Sequence, residues 1–115
     1  MSKMTISLTN HRPVTIDRDV WPVIASAKDH DNQYDFQANR KWSLTVRQCQ
    51  TDGDDRCIVY GIFTSCFQNE SDRRGGVIVD SIDDVPAAVK QVAAYLDFDV
   101  RLADECIADL PAIEM

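Results

Sequence analysis

The chain has 115 residues, 44% of them hydrophobic, and a formal net charge of −7, a common size for one domain able to bury its own core. No apolar run reaches the roughly 18 residues of a membrane-spanning helix, and the start MSKMTISLTN lacks the apolar stretch of a secretory signal, so the cytoplasm is the expected compartment. Residues 1–75 carry ten Lys/Arg and ten Asp/Glu, whereas residues 76–115 carry two against nine. The whole negative excess therefore lies in the C-terminal part, where its field repels phosphate backbones and attracts basic surfaces.

In TISLTNHRPVTID, Ile6 and Leu8, then Val14 and Ile16, alternate with polar residues around the turn NHRP, which predicts strand, turn, strand. Asp17 or Asp19 can then cap a helix with Pro22 in its first turn, running to about Lys28 and burying Val20, Ile24 and Ala27, with Trp21 and Val23 flanking. KWSLTVRQCQ alternates Trp42, Leu44 and Val46 with polar residues, the period of a half-buried strand, and RCIVYGIFTSCF is apolar almost throughout, as in a strand covered on both faces. The loop TDGDD supplies the positive-φ positions of a tight hairpin connection. Pairing Leu44 with Ile62, Val46 with Tyr60 and Gln48 with Ile58 makes one face continuously apolar and sets Cys49 opposite Cys57. A one-residue slip puts that face against Val59, Gly61 and Phe63 instead.

After the polar loop QNESDRRGG comes a short strand, Val77 to Val79. Ser81 caps a helix with Asp83 and Asp84 in its first turn and Val85, Val89, Val92 and Leu96 on its buried face. DFD interrupts the pattern, and Val100, Ala103, Ile107 and Leu110 mark a shorter second helix stopped by Pro111, with Asp99, Asp104, Glu105 and Asp109 near its outer face. The expected fold is a single α+β domain over residues 1–115: a mostly antiparallel sheet of about four or five strands packed with one N-terminal helix and two C-terminal helices.

No catalytic residue, cofactor or metal site is assigned. Cys49, Cys57, Cys66 and Cys106 contain no C-x-x-C pair and are expected as reduced thiols, and Asp52, Asp54 and Asp55 are too few oxygens for an EF-hand loop. CQTDGDDRC therefore reads as turn chemistry. His11 lies in a turn and His30 in DHD, with no partner group to make either an acid or a base. Walker, G-x-G-x-x-G, H-E-x-x-H and nucleophile-elbow motifs are absent.

The segment RPVTIDRDVWPVIASAKDHDNQYDFQANRKW, followed by VRQ and RCIVYGIF, resembles a group of small, mostly uncharacterised accessory proteins carried on plasmids and mobile elements of proteobacteria. The resemblance covers about the first two thirds of the chain. It carries over no site residue and implies context only: such proteins often act by binding a host or plasmid protein. Two functional readings follow. In the first, the chain is a non-catalytic accessory protein whose acidic C-terminal helices, through Asp97, Asp99, Asp104, Glu105 and Asp109, engage a basic partner protein in an anti-defence or regulatory role. In the second, it is a small dimeric DNA-binding protein using Arg40, Lys41, Arg47, Arg73 and Arg74. A homodimer is expected because the second hairpin face, with Val59, Gly61 and Phe63 beside Thr45 and Arg47, leaves a mixed surface to cover.

Overall fold

The alternating N-terminal residues form an antiparallel hairpin, β1 (Lys3–Ile6) and β2 (Val14–Asp17), in the computed structural model, which describes residues 2–9, 11–31 and 38–112. The segment expected to be the N-terminal helix is instead a strand, β3 (Val23–His30). Asp17 folds the chain into a turn, its carbonyl accepting from Val20 and Trp21 and its carboxylate from Asp19 N, and Pro22 stands just ahead of the strand. Val20, Ile24 and Ala27 satisfy a helical period, but VIASA satisfies a period of two equally well. Ala25 and Ala27 are buried while Val23 and Lys28 are exposed. The neighbouring strand decides between the two periods, since strand preference is set largely by packing against a partner.

That partner is β4 (Arg40–Gln48), followed by β5 (Cys57–Ser65) and β6 (Arg73–Val79), all antiparallel in the spatial order β3-β4-β5-β6. Within TDGDD, Gly53 takes a φ of 81° and the Arg56 guanidinium closes on the Asp54 carboxylate at 2.7 Å. The loop is turn chemistry, as its composition predicts. The register differs from the favoured one by one residue: Leu44 pairs with Gly61, Val46 with Val59 and Gln48 with Cys57. Cys49 therefore does not face Cys57; its N–H donates to the Arg56 carbonyl, and both thiols are free and buried.

Gly61 explains the slip. A Cβ placed there would lie 2.6 Å from Leu96 Cδ1 and 3.2 Å from Phe98 Cε2, so the helical layer can close down only over a residue with no side chain. Ile58, Tyr60 and Ile62 consequently turn to the opposite face, where Ile6 and Ile16 of the β1–β2 hairpin pack on Ile58 and Tyr60. Strand β5 is thus covered on both faces. Val59 and Phe63, expected on an open surface, lie in the helix-side core.

Ser81 Oγ accepts from Asp83 N and starts a single 3-10 turn, Ile82–Asp84, which runs into α1 (Val85–Tyr95). Helix α1 lies on β5 and β6, while α2 (Val100–Ala108) lies on β3 and β4. Val85, Val89, Val92 and Leu96 are buried as their spacing predicts. In α2 the phase differs. The cap at Asp99 fixes the start so that Leu102, Ala103 and Cys106 face the sheet, Ile107 and Leu110 are half-buried, and Val100 is left 70% exposed.

Both outer edges of the four-stranded sheet carry a cap. On β3, Ser26 N donates to the Asp109 carboxylate (2.9 Å) and His30 N to Asp29 Oδ1 (2.8 Å); on β6, the Gly76 carbonyl accepts from Thr9 N (2.7 Å). Such caps consume groups that would otherwise template pairing with another chain. The described residues thus form an α+β globule of two antiparallel sheets, six strands in all, and two α-helices, none of the helices long and apolar enough to cross a membrane.

Candidate functional site

The six residues YLDFDV, 95–100, join α1 to α2 and place their side chains in alternate directions. Leu96 and Phe98 are buried over Gly61, whereas Tyr95 is 62% and Val100 70% exposed, the highest values for large apolar residues among those described. The backbone is a Schellman turn. Asp97 N donates to the Ala94 carbonyl, Phe98 N donates to the Ala93 carbonyl (2.8 Å), and Asp97 takes a φ of 60°. Glycine is the usual occupant of that left-handed position, and aspartate tolerates it better than most residues. Asp99 follows as the cap of α2, accepting from Arg101 N at 2.9 Å.

Beside this corner, Asp29 from the end of β3, Trp42 from β4, and Asp97, Asp99 and Leu102 line a cleft of about 240 Å³. Arg101 stands at its rim, its Nη2 3.1 Å from Asp29 Oδ2 and its Nε 3.9 Å from Glu105 Oε1. Trp42 is half-buried, its ring tilted against Phe63 at 5.4 Å. The corner therefore presents carboxylates, one indole and two exposed apolar side chains together. Of the sequence-predicted acids, Asp97 and Asp99 line the cleft, and Asp104 and Glu105 are exposed one turn along α2. Asp109 does not join them: it lies at the far end of α2, engaged with Ser26. Asp29, Trp42, Tyr95 and Val100 were outside the sequence expectation, because Asp29 read as a helix end and Val100 as part of a buried stripe.

The five basic residues of the alternative reading do not form one patch. Arg40 Nε donates to Glu70 at 2.9 Å, its Nη1 lies 3.7 Å from Asp31, and its guanidinium sits over the Phe67 ring at 4.5 Å. With the Ser65 hydroxyl, Arg40 holds the Glu70 carboxyl below its usual range. Arg47 donates to Tyr60 Oη (3.0 Å) and to the Trp21 carbonyl (2.9 Å), clamping the β2–β3 connection, and Arg73 covers the Phe63 ring at 4.5 Å on the helix side of the sheet. Lys41 and Arg74 are exposed on the opposite side. Among the described residues no three His, Cys, Asp or Glu side chains converge to hold a metal ion. Burial pushes the Cys57 and Cys106 thiols up to about 11, which makes them poor nucleophiles near neutral pH. No protein-family model, curated protein or solved structure matches the chain.

Proposed function

We propose that the protein is a non-catalytic binding protein whose acidic helical corner engages a basic segment of a partner protein. The observation that carries this reading is the exposure of Tyr95 and Val100 on either side of Asp97 and Asp99, next to the Asp29–Trp42 cleft. Aromatic anchors ringed by polar groups are the usual centres of binding energy, and charge around them sets the partner and speeds the encounter. A partner arginine or lysine entering the cleft meets carboxylates and the indole of Trp42, a pairing that combines charge-assisted hydrogen bonds with cation–π attraction. Arg101 already holds a guanidinium 3.1 Å from Asp29, so the dimensions suit that group. A partner whose own ligand is a polyanion fits best, and occupying it would block that ligand, the anti-defence or regulatory role.

The strain at Asp97 supports the same reading. Glycine would serve the turn better, so a carboxylate kept at a φ of 60° points to a use for its charge. The test is calorimetric titration with an arginine-rich peptide at near-physiological salt. Binding should disappear in Asp97→Lys/Asp99→Lys, fall at least about tenfold in Tyr95→Ala, and persist in Asp83→Lys/Asp84→Lys, which changes the net charge equally at the other end of the layer. Equal losses in the two charge variants would reduce the effect to net charge and overturn the proposal.

A further inference from the structure

The face of the sheet opposite the helices is covered along only part of its length. The β1–β2 hairpin lies over Ile58 and Tyr60 and gives way at the next row, where Lys28, Ser43, Ile62 and Arg74 stand side by side across all four strands. The row beyond it holds His30, Lys41 and Thr64. Lys28, Lys41 and Arg74 are exposed, and Ser43, Ile62 and Thr64 are half-buried between them. With strands about 4.8 Å apart, Lys28 and Arg74 are rooted about 14 Å from one another. Two shallow clefts meet at Ile62. One, of about 260 Å³, is lined by Lys28, Lys41, Ser43 and Thr64 together with Asp29 and Trp42; the smaller is lined by Arg74, Tyr60 and the edge of β1.

The carboxylates near this end are engaged elsewhere. Asp29 Oδ2 holds Arg101, Asp31 and Glu70 hold Arg40, and Asp72 accepts from Ser65 N. The two rows are therefore locally positive on a chain of net charge −7. Distance decides which charge a ligand feels. The acids of α1 and α2 lie across the sheet, beyond a layer spacing of about 10 Å and a helix radius of about 5 Å. The screening length at physiological salt is about 8 Å, so the acidic pole is damped at this face while contact with the three cations is not.

We infer that this open half of the sheet binds a nucleic-acid duplex by its phosphate backbone. Lysine, arginine and hydroxyl groups are the usual phosphate contacts, and the Lys28–Arg74 row is long enough to meet more than one phosphate. Neither row carries an aromatic ring, so base stacking is missing and single strands gain nothing over a duplex. This site shares no cation with the acidic corner and stands or falls independently of it.

Fluorescence anisotropy with a duplex DNA of about 20 base pairs tests the inference between about 50 and 200 mM salt. Three neutralised phosphates give a slope of log affinity against log salt near −2.7, a loss of about 40-fold over that range. Lys28→Gln and Arg74→Gln, both at exposed positions, should each lower the slope by about one, and Lys28→Glu/Lys41→Glu/Arg74→Glu should abolish binding with an unchanged melting curve. Absence of binding at the lowest salt, retention of binding in the triple variant, tighter binding of a single strand, or equal binding of polyglutamate would each overturn it.

Discussion

Replacing Gly61 by alanine tests the contact that positions the corner. The added methyl would lie 2.6 Å from Leu96 Cδ1, 3.1 Å from Leu44 Cδ2 and 3.2 Å from Phe98 Cε2, well inside ordinary carbon contact of about 3.5–4.0 Å. Leu96 and Leu44 are at most 2% exposed, so neither side chain has open space to turn into. Overpacking of this kind costs about 1–3 kcal/mol. A more restricted unfolded chain returns about 0.4–1 kcal/mol. A net loss of about 1–2 kcal/mol is expected, a fall in Tm of about 4–8 °C for a chain of this size. Thermal unfolding followed by circular dichroism measures it, and Leu96→Ala in the same background should be less costly than the sum of the single changes, because the methyl then has room. A Gly61→Ala protein as stable as the parent, or strictly additive effects, would refute both the register of β4 on β5 and the seating of the corner on the sheet.

Titration with a thiol reagent at mildly alkaline pH should label exposed Cys66 first and leave Cys49, Cys57 and Cys106 protected until unfolding; loss of protection without unfolding would contradict the packing of α2. The Cys57 and Cys106 thiols titrate near 11 when folded against an ordinary value of 9.0. Their contribution to stability is therefore complete below about pH 9 and is lost as pH rises towards 11. Conversion of both to alanine should flatten that alkaline decline, and an unchanged slope would count against it. Sedimentation over a tenfold dilution series at micromolar concentration should give a mass near 13.0 kDa, because both edges of the larger sheet are capped; a stable species of twice that mass would show an interface elsewhere.

The helix and strand periods near the C-terminus were legible because Val85, Val89, Val92 and Leu96 repeat at one spacing and no other. The same reasoning failed at VIASAKDH, where small residues fit both periods and only pairing with β4 selects the strand. The hairpin was legible from TDGDD, but its register was not. Choosing between Ile62 and Gly61 as the partner of Leu44 requires knowing that Leu96 and Phe98 descend on that point, a contact across 35 positions of sequence. The acidic site was half legible for a related reason. Asp97, Asp99, Asp104 and Glu105 are close in sequence, whereas Asp29 and Trp42 reach the corner only through the sheet.

The layering also accounts for how one small chain keeps opposite charges apart. The slip that brings Gly61 under the helices turns Ile62 outward, and Ile62 lies in the row that aligns Lys28 with Arg74. The same slip seats Leu96 and Phe98, so that Tyr95, Asp97, Asp99 and Val100 are pushed out on the other side. One choice of register thus creates both surfaces. The sheet between them, with the helix layer, holds the charges about two screening lengths apart at physiological salt. Substitution at the corner therefore leaves the basic row intact, and substitution in the row leaves the corner intact. Gly61→Ala, which strains the seating of the helices on the sheet, should disturb the corner first, since Leu96 and Phe98 meet the methyl directly and Lys28 and Arg74 are anchored on separate strands.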